Sequence, residues 1–163
     1  MSHASSASEL EDETYLRRCL ELARRALAVG DVPVGALVVL DGRVAGEGQE
    51  RTRERLDPAA HAEVEALRDA CRRLGSLDLT GATLYTTVEP CVLCAYALRY
   101  TRISRVVFGV EAGELGGVTG TCALLTDATP FPSSPPPAVT SGVLAGDCRR
   151  LLAERRTGRR RGS

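Results

Sequence analysis

The sequence predicts one α/β domain, a mixed sheet flanked by helices, and three observations carry that expectation. The chain has 163 residues, enough for one domain with a sizeable core and too short for two ordinary ones. Asp41-Gly42 between two apolar runs is a strong signal for an antiparallel hairpin. A strand, helix, strand succession over residues 83–110 implies a parallel pair joined by a crossover.

The elements follow in order. Thr14 to Val29 places Leu16, Leu20, Ala23 and Leu27 at helical spacing, with Gly30 as the stop. Val34 to Leu40 reads as a buried strand, and Arg43 to about Gln49 as its return. A charged loop spans Glu50 to Arg55. Asp57-Pro58 reads as an N-cap followed by a proline at the first helical position, opening a helix to Leu74 that Gly75 ends. Thr83 to Val88 is a β-branched strand broken by Glu89-Pro90, Cys91 to Tyr100 a short helix, and Arg105 to Val110 the next strand. Gly113 to Pro137, rich in Gly, Thr and Pro, is an ordered loop with a short helical turn. Val139 to Val143 adds a last strand and Leu144 to Arg156 a last helix. Residues 1–13 and the Arg-rich 157–163 are expected to be disordered tails around a domain of residues 14–156.

Composition narrows the class. Apolar residues make up 44% and charged residues 26%, which is globular; aromatics are only 4%, so Leu, Val and Ala must build the core. Twenty-one basic residues balance 21 acidic ones, which argues against a nucleic-acid footprint over the whole surface but not against a local patch. All the basic residues are Arg, and there is no Lys and no Asn, a bias that suits a GC-rich genome. The first residues lack a basic and then apolar leader, and no apolar run is long enough to span a bilayer, so a cytoplasmic protein without a membrane partner is expected. Six Cys in such a chain read as thiols or metal ligands rather than a disulfide framework.

Two stretches carry chemistry: His61-Ala62-Glu63 and Pro90-Cys91-Val92-Leu93-Cys94, each at the start of an expected helix. Cys91 and Cys94, three apart, can point their sulfurs from one face of a first turn, where the helix terminus favours thiolate. His61 with these two sulfurs supplies three ligands suited to zinc, leaving the fourth tetrahedral position for water, the catalytic arrangement. Glu63 points differently from His61 and can take a proton from that water and pass it to a leaving amine. Taken singly, His-x-Glu is usually a polar helix start, and Cys-x-x-Cys is often structural zinc or a redox pair. A structural site normally needs four protein ligands, and no fourth is evident; His3, the other His, sits in the expected tail.

The combined pattern, His-x-Glu with Pro-Cys-x-x-Cys, is the signature of zinc deaminases. The chain resembles the cytidine-deaminase-like superfamily, and within it the bacterial tRNA adenosine deaminases and the guanine and cytosine deaminase-type proteins. The match runs over about residues 14–156, through Asp31-Val32-Pro33-Val34-Gly35-Ala36, Asp57-Pro58-Ala59-Ala60-His61-Ala62-Glu63, Leu84-Tyr85-Thr86-Thr87-Val88-Glu89-Pro90-Cys91, Arg102-Ile103-Ser104-Arg105-Val106-Val107-Phe108-Gly109 and Ser141-Gly142-Val143-Leu144-Ala145. The resemblance implies a three-layer domain with a five-stranded sheet between helices, one zinc per subunit, a homodimer, and hydrolytic release of ammonia from an aromatic amine. By position, His61, Cys91 and Cys94 take the zinc and Glu63 moves the proton.

Departures from the family bear on the substrate. These families commonly place an Asn just after the second strand, where it hydrogen-bonds the base; Glu50 stands there, and an ionised carboxylate only accepts hydrogen bonds. Tyr96 occupies a position usually held by a small residue, to line the pocket or to pack in the core. Glu50, Ala62 and Tyr96 are therefore the candidate substrate-facing residues. In place of the tRNA enzymes' Lys-containing loop and two helical Phe stand Glu111-Ala112-Gly113-Glu114 and Leu151-Leu152-Ala153-Glu154. The Arg51/Arg53/Arg55 and Arg155/Arg156/Arg159/Arg160/Arg161 clusters read as a solvated loop and tail, with phosphate contact as the alternative. Cys19, Cys71, Cys122 and Cys148 read as small buried or half-buried apolar residues. The expectation is a zinc-dependent hydrolytic deaminase of a free base or small aminated heterocycle. The alternatives are a tRNA adenosine deaminase and a non-catalytic zinc-stabilised interaction module.

Overall fold

A computed structural model describes residues 6–159. Helix α1 (Ala7–Ala28) precedes the hairpin of β1 (Gly35–Leu40) and β2 (Arg43–Gln49), and a single turn, α2 (Thr52–Arg55), leads to α3 (Ala62–Leu74). Then come β3 (Thr83–Val88), α4 (Val92–Tyr100), β4 (Arg105–Val110), a 3-10 turn at Gly113–Leu115, β5 (Ala138–Thr140) and α5 (Ala145–Arg159). The sheet order is β2-β1-β3-β4-β5. β1 runs antiparallel to β2 and β3, whereas β3–β4 and β4–β5 are parallel. The five-stranded mixed sheet between helices is the expected architecture.

Period-two alternation divides the strands between two cores. Ala36, Val38, Leu84, Val106 and Phe108 face α3 and α4, where Ala66, Leu67 and Leu98 meet them. Leu37, Val39, Tyr85 and Val107 face α1, against Leu16, Cys19 and Leu22. Cys148 and Leu151 of α5 complete that side with Leu20, Ala23 and Val110. The β1–β2 turn has Asp41 at φ 50° and Gly42 at φ 69°, the two left-handed residues that a two-residue hairpin with matching twist requires.

Helix α3 lies very close to β2. A Cβ at Gly46 would run into the backbone at Ala66 and Ala70, and one at Gly48 into the backbone at Ala62 and Ala66. Glycines facing an alanine row at i, i+4 spacing let the helix approach the sheet, and this fixes the position of its first turn, where His61 and Glu63 sit.

Several boundaries differ from expectation: β5 ends at Thr140 rather than Val143, Thr52–Arg55 of the expected charged loop form a helical turn, and three helix ends move. Residues 7–13, expected in a tail, are helix. Ser6 Oγ accepts from the Glu9 N–H and the Glu9 carboxylate accepts from the Ser6 N–H, a reciprocal cap. Asp12 is then buried, taking two hydrogen bonds from Arg105 at 2.8 and 2.7 Å and one from the Tyr85 hydroxyl at 2.9 Å. Asp57 does not cap α3; its side chain accepts from Ala59 N–H at 2.8 Å, a local turn, and the helix starts at Ala62. Helix α5 continues to Arg159, so residues 157–159 of the expected tail are helical. Residues 1–5, with His3, and 160–163 lie outside the described residues.

The irregular segment after β4 is held from inside. Arg99, 2% exposed, donates to the carbonyls of Leu124, Asp127 and Ser134 at 2.6–2.8 Å, and its guanidinium lies 4.6 Å over the Phe131 ring. Three carbonyl oxygens on one cation offset part of the cost of its burial, although burial still lowers the guanidinium pKa and its Nε is buried without a hydrogen-bond partner.

Candidate active site

The first turns of α3 and α4 meet at one end of the sheet. The N-cap residue of α3 is His61 and that of α4 is Cys91, and neither side chain caps its own helix. Both turn instead toward each other. His61 Nδ1 lies 3.5 Å from Cys91 Sγ and 3.4 Å from Cys94 Sγ, with the two sulfurs 3.8 Å apart. A tetrahedral zinc with ordinary bond lengths requires ligand separations of roughly 3.8 Å between sulfurs and roughly 3.5 Å from sulfur to nitrogen. The three side chains therefore fit zinc without rearrangement. Among the described residues this is the one group of three or more such side chains gathered for a metal.

The electrostatics are those of a ligand set. Hydrogen bonding from the Cys94 thiol and from His61 pulls Cys91 down to about 4. The same contact with Cys91 raises His61 and, together with burial, raises Cys94.

Glu63 projects from the same turn as His61 and is 4% exposed. Its Oε2 lies 3.4 Å from Cys94 Sγ, and its Oε1 lies 3.1 Å from the Thr86 hydroxyl on β3. Burial pushes its carboxyl up to about 7, the range in which a group can both take and return a proton at neutral pH. A non-catalytic zinc module gives no reason to bury a carboxylate there.

Glu50, at the end of β2, is also buried, and burial raises its carboxyl above the ordinary value. Its Oε2 accepts from the Ala62 N–H at 3.3 Å, serving the helix start that His61 leaves uncapped. Main-chain bonds fix this corner: Glu50 N–H donates to Val34 O at 3.0 Å and Arg51 N–H to Ala60 O at 2.9 Å. Ala62 is fully buried and its N–H is taken up in this contact. Tyr96 is not a core residue. It is 55% exposed on the outer face of α4, its ring 6.3 Å from Tyr100 and 5.6 Å from Phe131. Cys19 and Cys148 are buried and Cys71 half-buried as expected, but Cys122 is exposed in the irregular segment.

Residue Glu89, which the sequence suggests only as a strand breaker, organises the wall beside Cys91. Its carboxylate accepts from the N–H groups of Ala112, Val118 and Thr119 and from the Thr119 hydroxyl at 2.7–2.9 Å. A Cβ at Gly116 would strike that carboxylate, and Gly117 N–H donates to Pro90 O at 2.8 Å. Its place directly before Pro90-Cys91 was the only signal. Thr86 had none beyond its strand position.

The family model for the cytidine and deoxycytidylate deaminase zinc-binding region matches residues 9–110, more than half of the chain. The chain belongs to this deaminase family. It is thus a zinc-dependent hydrolytic deaminase, an enzyme acting on C–N bonds of cyclic amidines. It is 40% identical over 154 residues to the tRNA-specific adenosine deaminase of Haemophilus influenzae, covering 94% of this chain and 87% of that one. A structure from work on A-to-I editing by tRNA:A34 deaminases superposes with a TM-score of 0.77 at 37% identity, over 85% of this chain and 98% of that one. The guanine deaminase of Bacillus subtilis is similar over 61% of this chain and 64% of its own, at 40% identity and a TM-score of 0.58. Among the described residues no helix of this deaminase is long and apolar enough to cross a membrane.

Proposed function

We propose that this deaminase acts on a small aminated heterocycle bearing a ring N–H beside the reacting carbon, as guanine does. The observation that carries this is Glu50, a buried carboxylate at the His61–Ala62 turn, close enough for its charge to bear on both His61 and Glu63. A carboxylate offers only acceptors when ionised, so it suits a ring donor and ill suits adenosine, whose ring nitrogens are all acceptors.

His61, Cys91 and Cys94 hold the zinc, and Glu63 carries the proton. Zinc, when bound, supplies a Lewis acid that makes water nucleophilic near neutral pH. Glu63 accepts one proton as water adds to the amine-bearing carbon and returns it to the ring nitrogen; it then accepts the proton of the newly formed hydroxyl and passes it to the leaving amine. The C–N bond breaks, ammonia departs and a ring carbonyl remains. The Thr86 hydroxyl keeps the Glu63 carboxyl in line. Glu50, held by the Ala62 N–H and by the Thr52 side chain beside it, is the acceptor turned to the ring N–H, and Ala62 forms the buried floor of that corner. Tyr96, exposed on the outer face of α4 beside Tyr100 and Phe131, takes no part in holding the ring.

The second reading is adenosine in a tRNA anticodon loop, favoured by the names and 40% identity of the relatives. Likeness to its family supports a cytoplasmic enzyme and a homodimer under either reading. One deaminase domain, residues 14–156 with helical extensions at both ends, suffices for both.

Ammonia release from a panel of bases, nucleosides, related aminated heterocycles and unmodified tRNA, with Glu63→Ala as the blank, tests the choice. Release from a guanine-type ring, abolished with Glu50→Ala, is the expected result. Release from tRNA with silence across the small compounds would replace it with the second reading.

A further inference from the structure

The exposed side of β2 and the outer face of α3 enclose a concavity of about 290 Å³. Six guanidinium groups line it: Arg25 from α1, Arg51 and Arg55 around α2, and Arg68, Arg72 and Arg73 from α3. Only three carboxylates share it, and the chain as a whole has no net charge. The excess is therefore local.

These carboxylates are already engaged. Glu65 takes Arg55 at 2.7 Å and Arg68 at 2.6 Å. Asp69 takes Arg73 at 2.9 Å and also the Glu47 N–H at 3.0 Å. Glu47 leans out to Arg18 at 3.6 Å, and Arg51 pairs with Glu54, which lies outside the lining, at 3.1 Å. Arg25 and Arg72 face the concavity without a carboxylate among the described residues. Arg68 also reaches Asp57, outside the lining, at 3.8 Å, so Arg25 and Arg72 are the two unpaired charges in the hollow, and together they suit a multiply charged anion better than a further single carboxylate. Planar guanidinium forks match phosphate oxygens two at a time.

We propose that this concavity is a phosphate-binding site. Along α3 it runs away from the catalytic turn, Glu65 to Arg73 lying roughly 6 to 18 Å from His61 at the helical rise, while its other end, at Gly48, Gln49 and Arg51, flanks Glu50. Phosphates held there belong to a polynucleotide backbone flanking the reacting base or to a small free phosphate. The site does not depend on which ring is deaminated, and its test reads binding rather than turnover.

The test is binding of pyrophosphate, by calorimetry, and of a labelled single-stranded oligoribonucleotide, by fluorescence anisotropy, to the full zinc-loaded chain at several salt concentrations. Arg25→Glu/Arg72→Glu removes the two unpaired cations, and Arg149→Glu on α5 is the control for a charge change elsewhere. Expected are salt-sensitive binding by the parent, loss of at least about tenfold in the double variant, and little change in the control. Binding of both probes marks a general phosphate site; binding of the oligoribonucleotide alone marks a backbone site. If the parent binds neither probe, or if Arg149→Glu weakens binding as much as the double variant, the site is not there. Melting curves of the double variant confirm that its fold is intact.

Discussion

The hydroxyl of Thr86 lies 3.1 Å from Oε1 of Glu63 and equally 3.1 Å from the carbonyl of Val88. One hydroxyl proton serves one acceptor at a time. With Glu63 ionised, Thr86 donates to the carboxylate; with Glu63 protonated, the carboxyl donates to Thr86, which then donates to Val88. Both protonation states of the proton carrier are thereby hydrogen-bonded in a buried site, which a catalytic acid and base requires. Thr86→Val keeps the shape and removes the exchange. Losing a hydrogen bond to a charged group is worth about 1.5–3 kcal/mol, so kcat should fall by roughly ten- to a hundredfold. KM should change little, and steady-state kinetics with zinc content held equal would show the split.

Metal removal gives a second expectation. Chelation should abolish turnover, and added zinc should restore it. Cys94→Ser should bind zinc far more weakly in a chelator competition, because the buried sulfur supplies one of three ligands. Zinc content unchanged in Cys94→Ser would remove Cys94 from the ligand set.

Glu89 predicts a pH dependence of stability. Burial alone would raise its carboxyl, but hydrogen bonds from Thr119, Ala112 and Val118 outweigh burial and hold it below the ordinary value. A carboxyl lowered in the folded state contributes stability that is complete above its unfolded value, about 4.3, and is lost as pH falls through the folded value. Glu89→Gln should therefore be less stable by about 1–3 kcal/mol at neutral pH. The gap to the parent should close on acidification below about pH 4. Urea unfolding midpoints at a series of pH values would measure it.

Gly48 predicts a packing effect on catalysis. Its Cβ would enter the backbone of α3 at Ala62 and Ala66, beside both His61 and Glu63. Gly48→Ala should cost about 1–3 kcal/mol from overpacking and lower kcat further, because the turn that carries the proton carrier must move. Gly42→Ala, with open space at its Cβ, should cost stability through its φ of 69° but spare kcat.

The ligand set was legible in the sequence because its chemistry lies in two short spacings, His61-x-Glu63 and Cys91-x-x-Cys94, each within a single helix turn, although it is the sheet that brings the two turns together. The hairpin was legible for the same reason, through Asp41-Gly42. What escaped was set by distant partners. The early start of α1 depends on Asp12 meeting Arg105 and Tyr85, residues of β4 and β3. Asp57-Pro58 looked like a helix cap because local rules favour it, whereas α3 is capped from β2's end by Glu50. Tyr96 belongs to an aromatic row completed by Phe131, which only the Arg99 clamp on the irregular segment brings near.

Glu63→Ala offers the most direct measurement: zinc content, melting temperature and ammonia release on the substrate found by the panel or on tRNA. A folded, zinc-loaded protein with no detectable release is expected, since His61, Cys91 and Cys94 remain while the proton carrier is gone. Full turnover in that variant would contradict the mechanism, whatever the substrate.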